Sequence, residues 1–300
     1  MSACPLCGSK GNWPMRWTAD PAVRQWRLER GDNRAYAWSL CKTCGIGYPA
    51  FQPSSDLLSF FWNRDRQDGF DSDAQSEAAW AGRRAASQKN AARTFGMFAP
   101  MHAGRPGRFI DIACGLGETV KYFSDRGWDA RGIDADPALK RFHERIGIRS
   151  EIGQIEVAEI DGKFDIIHVS HAIYFITNPG EFLERLKSSL NRGGLLCIVI
   201  SNFLAPEDPG LPGYAHSFLP TAGSMRYALA RAGYEIVLSR KKSGSIYIAA
   251  RRGEGQLPKV YPQLIRLGYR TKGLRYSLIG RPKLLLHRVA KQVLSWAGLR

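Results

Sequence analysis

Residues Arg108 to Pro137 read RFIDIACGLGETVKYFSDRGWDARGIDADP, and the fold of the chain follows from how this stretch is parsed. Phe109, Ile110 and Ile112 form a short apolar run suited to a parallel strand covered on both faces. Gly115 and Gly117 then let the backbone turn sharply beside a ligand, because glycine enters the left-handed region without steric cost. A helix is predicted from near Gly117 to a stop at Gly127. Ala130 to Ile133 is a second strand, and Asp134 stands at its end, seventeen residues after Gly117. This order describes a pocket for a ribose-bearing ligand, with the acid placed to accept hydrogen bonds from the ribose diol.

Two details narrow the ligand. Val120 stands where a dinucleotide fingerprint has its third glycine. Asp111 interrupts the first strand four residues before Gly115, where an acid suits the ammonium of a zwitterionic amino acid better than a pyrophosphate. The implied ligand carries a ribose and an amino-acid end. On these residues, D-I-A-C-G-L-G followed by G-I-D-A-D-P resembles motif I and the acidic strand end of class I S-adenosylmethionine-dependent methyltransferases.

Strands and helices continue to alternate downstream. Helices are predicted over Pro137 to Arg145, Gly180 to Leu190 and Thr221 to Ala232. Strands are predicted over Gly147 to Ile152, Lys163 to Val169 and Leu195 to Ile200, the last preceded by a turn at Asn191-Arg192-Gly193-Gly194. Tyr234 to Ser239 and Ser245 to Ala250 form a closing pair. Such alternation predicts an α/β fold, an open, doubly wound, mostly parallel sheet with its ligand crevice at the carboxyl ends of the strands.

The resemblance spans roughly residues 105 to 252, where F-D-I-I, N-R-G-G and R-A-G-Y-E are similar to later blocks of the family. It implies a seven-stranded sheet whose last strand is antiparallel and inserts beside the fifth. It also implies that Asp111, Ala113, Gly115 and Gly117 hold the methionine part of S-adenosylmethionine and that Asp134 holds the ribose. Ala135 would lie on the adenine face, Gln154 and Ile155 at the adenine edge, and Ser170 near the sulfonium.

Ahead of this core stand Cys4-Pro5-Leu6-Cys7-Gly8 and Cys41-Lys42-Thr43-Cys44-Gly45. Each knuckle presents two thiolates from one tight turn, and four closed ligands (Cys4, Cys7, Cys41, Cys44) suit structural zinc. Disulfide or redox pairing is the alternative, and it is disfavoured in a cytosolic chain. Trp26 to Leu28 and Ala35 to Leu40 are expected to supply strands of a small zinc ribbon. Cys114 and Cys197 read as packed core residues. The resulting division is 1–50 zinc ribbon, 51–104 helical connector or cap, 105–252 methyltransferase domain and 253–300 basic tail. Within the connector, Leu57, Leu58, Phe60 and Phe61 form an apolar patch. Trp80, Arg83, Arg84 and Lys89 are expected either to cover the cofactor or to pack on the sheet.

The ribbon ending C-x-x-C-G-I-G-Y-P resembles a bacterial subgroup associated with glycan and secondary-metabolite modification. Related members carry Glu-His after the fourth core strand, where this chain has Tyr174-Phe175, so no role of that pair is transferred. Candidate bases on the crevice edge are His171 and His216, since histidine titrates near neutrality, with Tyr214 and Tyr174 orienting the acceptor. His168 reads as structural, and His143 has no evident site context.

With 44% hydrophobic and 23% charged residues, the 300-residue chain has globular composition, and the net charge of +16 favours anionic partners. No stretch approaches the run of about 20 apolar residues that spans a bilayer, and no leader pattern is visible. The expected location is the cytoplasm. Leu257 to Arg300 holds ten Lys or Arg and no Asp or Glu. Pro282 to Trp296 places Leu285, Leu286, Val289, Val293 and Trp296 at helical spacing. Such a basic amphipathic helix suits an anionic inner-membrane surface, a nucleic-acid groove, or packing against its own domain. The expected function is methyl transfer from S-adenosylmethionine to a small-molecule or glycan hydroxyl. The alternatives are an RNA methyltransferase that holds nucleic acid with ribbon and tail, and a non-enzymatic zinc-ribbon adaptor.

Overall fold

A computed structural model describes residues 3–15, 25, 28–31, 38–49, 54, 56, 73–102, 105–156, 160–206, 216–242 and 244–296; residues 73–80, 291 and 293–296 are described as helical backbone. The first sheet is antiparallel, with strands β1 (Asn12–Met15), β2 (Trp38–Cys41) and β3 (Gly47–Pro49) in that order. Only part of the expected ribbon pattern survives. Leu28 is helical rather than extended, with the Glu29 N–H donating to the Gln25 carbonyl at 3.0 Å, while Trp26 and residues 35–37 lie outside the described residues. The strand that replaces the expected one is β1, whose Asn12 pairs with Cys41.

Helix α1 (Asp73–Phe98) leads into the main domain. The patch Leu57, Leu58, Phe60 and Phe61 lies outside the described residues. There follow β4 (Arg108–Ile112), α2 (Glu118–Ser124), β5 (Asp129–Asp134), α3 (Lys140–Ile146), β6 (Arg149–Ile152) and β7 (Phe164–Ser170). Then come α4 (Pro179–Ser188), β8 (Leu190–Ser201), α5 (Ala222–Arg231), β9 (Tyr234–Lys242) and β10 (Ser245–Arg252). The seven strands lie in the order β6-β5-β4-β7-β8-β10-β9. β4 to β8 are parallel, and β10 enters antiparallel between β8 and β9. The order reverses between β4 and β7, which opens a crevice at the carboxyl ends of these two strands.

The expected turn at Asn191 to Gly194 is a bulge inside β8. Phe164 pairs with Leu190 and Ile166 with Leu195, so the intervening residues of β8 are looped out, with Gly193 at φ 77°. A bulge absorbs extra residues without ending the strand.

Alternation along the strands divides the core. Phe109, Ile166, Cys197 and Tyr247 point to the face covered by Phe98 of α1 and Phe123 of α2. Ile110, Ile167, Ile198 and Ile248 point to the opposite face, toward α4 and α5. Trp38, Leu40, Ile46 and Tyr48 of the small sheet belong to this second core, with Phe218, Leu219 and Met225. Gly47 and Leu219 seal the join through reciprocal backbone hydrogen bonds at 3.2 and 2.6 Å. The small sheet is thus a further layer of the main core.

The tail forms α6 (Pro262–Arg270), α7 (Lys272–Arg275), a π-helical turn at Tyr276–Gly280 and α8 (Arg281–Trp296). Ile265 and Tyr269 of α6 are buried in the core that holds the small sheet, and a β-carbon at Gly45 would run into the end of the Ile265 side chain.

Candidate active site

The turn after β4 is built from residues with positive φ: Ala113 at 60°, Gly115 at 55° and Gly117 at 75°. Ala113 is held there against a preference of about 1–2 kcal/mol that glycine does not feel. A β-carbon at Gly117 would run into Ile148 and the His143 ring, so this glycine serves packing. At Gly115 it would meet nothing within 4 Å, so this glycine leaves open space at the crevice.

Gly115 is gripped from both sides. Its N–H donates to Asp134 Oδ2 at 2.7 Å. Its carbonyl lies 2.7 Å from His143 Nε2. A carbonyl only accepts, so Nε2 carries the proton and Nδ1 accepts from Ser150 Oγ at 2.8 Å. Asp134 Oδ1 also accepts from the Asp136 N–H at 3.0 Å. Asp134 and His143 are both fully buried. His143 went unassigned in the sequence, whose only signal is a histidine on the helix after the acidic strand end.

Asp111 does not stand alone at the crevice. His168 Nδ1 donates to Asp111 Oδ1 at 2.7 Å, with both side chains buried, and Phe109 and Phe98 flank the imidazole. β4 and β7 set Asp111 opposite His168, which brings the two side chains to the same face. In the first turn of α2, Glu118 is buried and accepts from Arg84 Nε of α1 at 2.6 Å, a contact that ties α1 to the glycine turn.

The remaining candidates line the strand ends. Ala135 and Gln154 are exposed, and Ala113, Ile155 and Ser170 are partly exposed. Arg185 of α4 donates to the carbonyls of Ile155, at 2.6 Å, and Glu156, while the Glu156 carboxylate accepts from the Thr177 hydroxyl at 2.7 Å. These contacts pin the segment after β6.

His171 follows β7 with φ 52°, a strained value for a side-chain-bearing residue. Its Nδ1 lies 3.2 Å from the Tyr174 hydroxyl and 3.3 Å from Ser201 Oγ. Burial, and secondarily the neighbouring His168, lowers its pKa below the usual histidine value. Burial pushes the Tyr174 phenol up to about 12. His216, by contrast, is only 4% exposed and packs among the rings of Tyr174, Phe175 and Phe203. It sits inside an aromatic cluster rather than at an open edge. Tyr214 lies outside the described residues.

Cys4, Cys7, Cys41 and Cys44 converge, with all four Sγ atoms within 4.8 Å of one another and all four side chains buried. Cys4 and Cys44 are 3.6 Å apart and Cys7 and Cys41 3.5 Å. These are far from disulfide length, and all four cysteines are free. Four sulfurs about 2.3 Å from one tetrahedral ion stand about 3.8 Å apart, so the cluster has the size such an ion requires. Gly8 and Gly45, at φ 70° and 69°, close the two knuckles.

A family model described as a methyltransferase domain matches residues 79–239, more than half of the chain. No curated protein sequence matches it. Among solved structures, the 1,6-didemethyltoxoflavin-N1-methyltransferase of Burkholderia thailandensis, with 1,6-didemethyltoxoflavin and S-adenosylhomocysteine bound, is similar at 18% identity and a TM-score of 0.52, covering 69% of this chain and 96% of that one. An S-adenosylmethionine-dependent methyltransferase from Clostridium acetobutylicum is 12% identical with a TM-score of 0.46, covering 55% and 92% of the two chains. A glycopeptide N-methyltransferase in complex with S-adenosylmethionine is 15% identical with a TM-score of 0.45, covering 55% and 94%. With the strand order and glycine turn already described, the family match carries the conclusion that the chain belongs to the methyltransferase domain family and is an S-adenosylmethionine-dependent methyltransferase.

Proposed function

We propose that the chain methylates a hydroxyl group of a small-molecule or glycan acceptor, with S-adenosylmethionine held along the carboxyl ends of β4, β5 and β6. The observation that carries the cofactor site is the open space at Gly115 beside a backbone gripped by Asp134 and His143. Ala113, Gly115 and Gly117 would frame the methionine part, with Ser170 at the sulfonium. Ala135, Gln154 and Ile155 would enclose the adenine. Asp134, at the end of β5, would be the acceptor for the ribose hydroxyls, which its burial requires the bound cofactor to uncover. Asp111 would act beneath the turn, its charge shared with His168.

When bound, the cofactor supplies a sulfonium methyl open to in-line displacement. The protein's part is alignment of the acceptor and removal of its proton. His171 is the base this reading favours over His216. With Nδ1–H donated to the Tyr174 or Ser201 oxygen, Nε2 bears the lone pair that takes the hydroxyl proton. Its lowered pKa keeps it neutral, as a base must be.

The four-cysteine cluster is read as a structural zinc site, closed by four protein ligands. An RNA acceptor is less well supported, because Trp38, Leu40, Ile46 and Tyr48 of the small sheet are committed to the core. The deciding experiment incubates the enzyme with methyl-labelled cofactor and fractionated cell extract. Label in soluble or lipid-linked hydroxyl compounds supports this reading, and label confined to RNA overturns it.

A further inference from the structure

Of the thirteen exposed large hydrophobic residues among the described residues, eleven lie between Leu257 and Val289. Part of the tail has a structural occupation, since Ile265, Tyr269 and Lys272 are buried. Among the described residues, the large apolar side chains on the opposite side of α6, in the π-helical turn and in α8 face outward. Leu278 and Leu286 are 68% and 71% exposed, and Leu274, Ile279, Leu285 and Val289 are each more than half exposed. Burying a leucine from water contributes about 1.5–3 kcal/mol, so a concentration of this kind marks a contact surface.

Charge identifies the occupant. At 100° per residue, Leu285, Leu286 and Val289 fall within one 100° arc of α8, and Arg281, Lys283 and Arg288 fall outside it. No acid lies anywhere from Leu257 onward. A nucleic-acid groove would engage the cations and leave the leucines in water. An anionic bilayer takes both, leucines into the acyl boundary and cations to the headgroups. No described helix is long and apolar enough to cross a membrane, so the helix would lie in the surface plane.

We infer that α8, with the π-helical turn and the outer side of α6, is a docking surface for an anionic lipid bilayer. The surface adjoins the acceptor side of the domain. Arg275 donates to the Leu204 carbonyl at 3.1 Å, and Gly280 packs against the Pro206 carbonyl. Leu204 and Pro206 follow β8, on the same sheet edge as His171. A docked enzyme would therefore hold that edge near the lipid; this corollary rests on the methyl-transfer reading, whereas the docking does not.

The test is co-flotation of the full chain with phosphatidylcholine vesicles, with and without phosphatidylglycerol. Two variants accompany it: a chain ending at Gly280, which keeps Ile265, Tyr269 and Lys272, and the triple variant Leu285→Asp, Leu286→Asp, Val289→Asp. Binding to anionic vesicles at low salt should exceed that to neutral vesicles by about tenfold or more and fall as salt screens the cations. Both variants should lose it while keeping the wild-type melting temperature and cofactor affinity. Equal flotation of the variants and the full chain would overturn the inference. So would absence of vesicle binding together with a dimer that the triple variant dissociates, or with RNA binding that truncation removes. Because cofactor affinity is measured separately, its loss would count against the methyl-transfer site and leave the docking result standing.

Discussion

The N–H of Gly115 donates to Oδ2 of Asp134 at 2.7 Å, joining the end of β5 to the turn after β4 across nineteen positions of sequence. The acid at the strand end therefore shapes the glycine turn, in addition to the ribose role proposed for it. Hydrogen bonds to charged groups contribute about 1.5–3 kcal/mol, so Asp134→Ala should weaken S-adenosylmethionine binding by at least about tenfold. Calorimetry measures this, and unchanged affinity in a variant folded by circular dichroism would assign the ligand elsewhere.

The two glycines of the turn should behave differently when given a side chain. Gly115→Ala meets only the left-handed backbone cost, about 1–2 kcal/mol, yet places a methyl where the cofactor would approach. Gly117→Ala adds a collision with Ile148 and His143, raising the loss of stability to about 2–4 kcal/mol. Melting curves and calorimetry together should show Gly115→Ala weaker in binding than its stability loss accounts for. A Gly115→Ala protein of normal affinity contradicts the proposed cradle.

His171 provides a pH signature. Its folded pKa is depressed, so in acid the unfolded chain takes up a proton that the folded chain resists. Its contribution to stability is fully present above pH of about 6.5 and is lost as pH falls toward the folded pKa. The same depression should place the acid limb of kcat below pH 6.5 with the acceptor found by labelling. In His171→Gln that limb should vanish and kcat should drop by about 10²–10⁴. A limb that persists in the variant assigns the base to another group.

Loss of the four-cysteine site should be felt throughout the molecule. Trp38, Leu40, Ile46 and Tyr48 share a core with Phe218 and Ile265, so a loosened ribbon uncovers the main domain. Metal analysis should find one zinc per chain. Cys41→Ser, or chelation, should lower the melting temperature of the whole protein in a single transition. A separate low-temperature transition with an unchanged main one would show the ribbon to be an independent unit.

The sequence by itself determined the elements whose signals are short in range. The apolar runs, the glycine turn, the two acids and the C-x-x-C knuckles each lie within a few residues, where backbone preference and side-chain period decide. From them came the doubly wound sheet, and the family resemblance supplied the antiparallel strand inserted beside the fifth. Only tertiary structure decided which partners the polar side chains meet. Asp111 reads as a lone acid until the pairing of β4 with β7 sets His168 beside it, fifty-seven positions away. His143 acquires a role only because α3 folds back over the glycine turn, and His216 is withdrawn among rings brought in by two loops. The ribbon and tail show the same division. Their composition marked cysteine ligands and a basic helix, but whether each joins the core depends on the apolar surface the rest of the chain presents. That surface exists only once the sheet has formed, so α6 has a face to bury against, whereas residues 281–290 of α8 stay exposed.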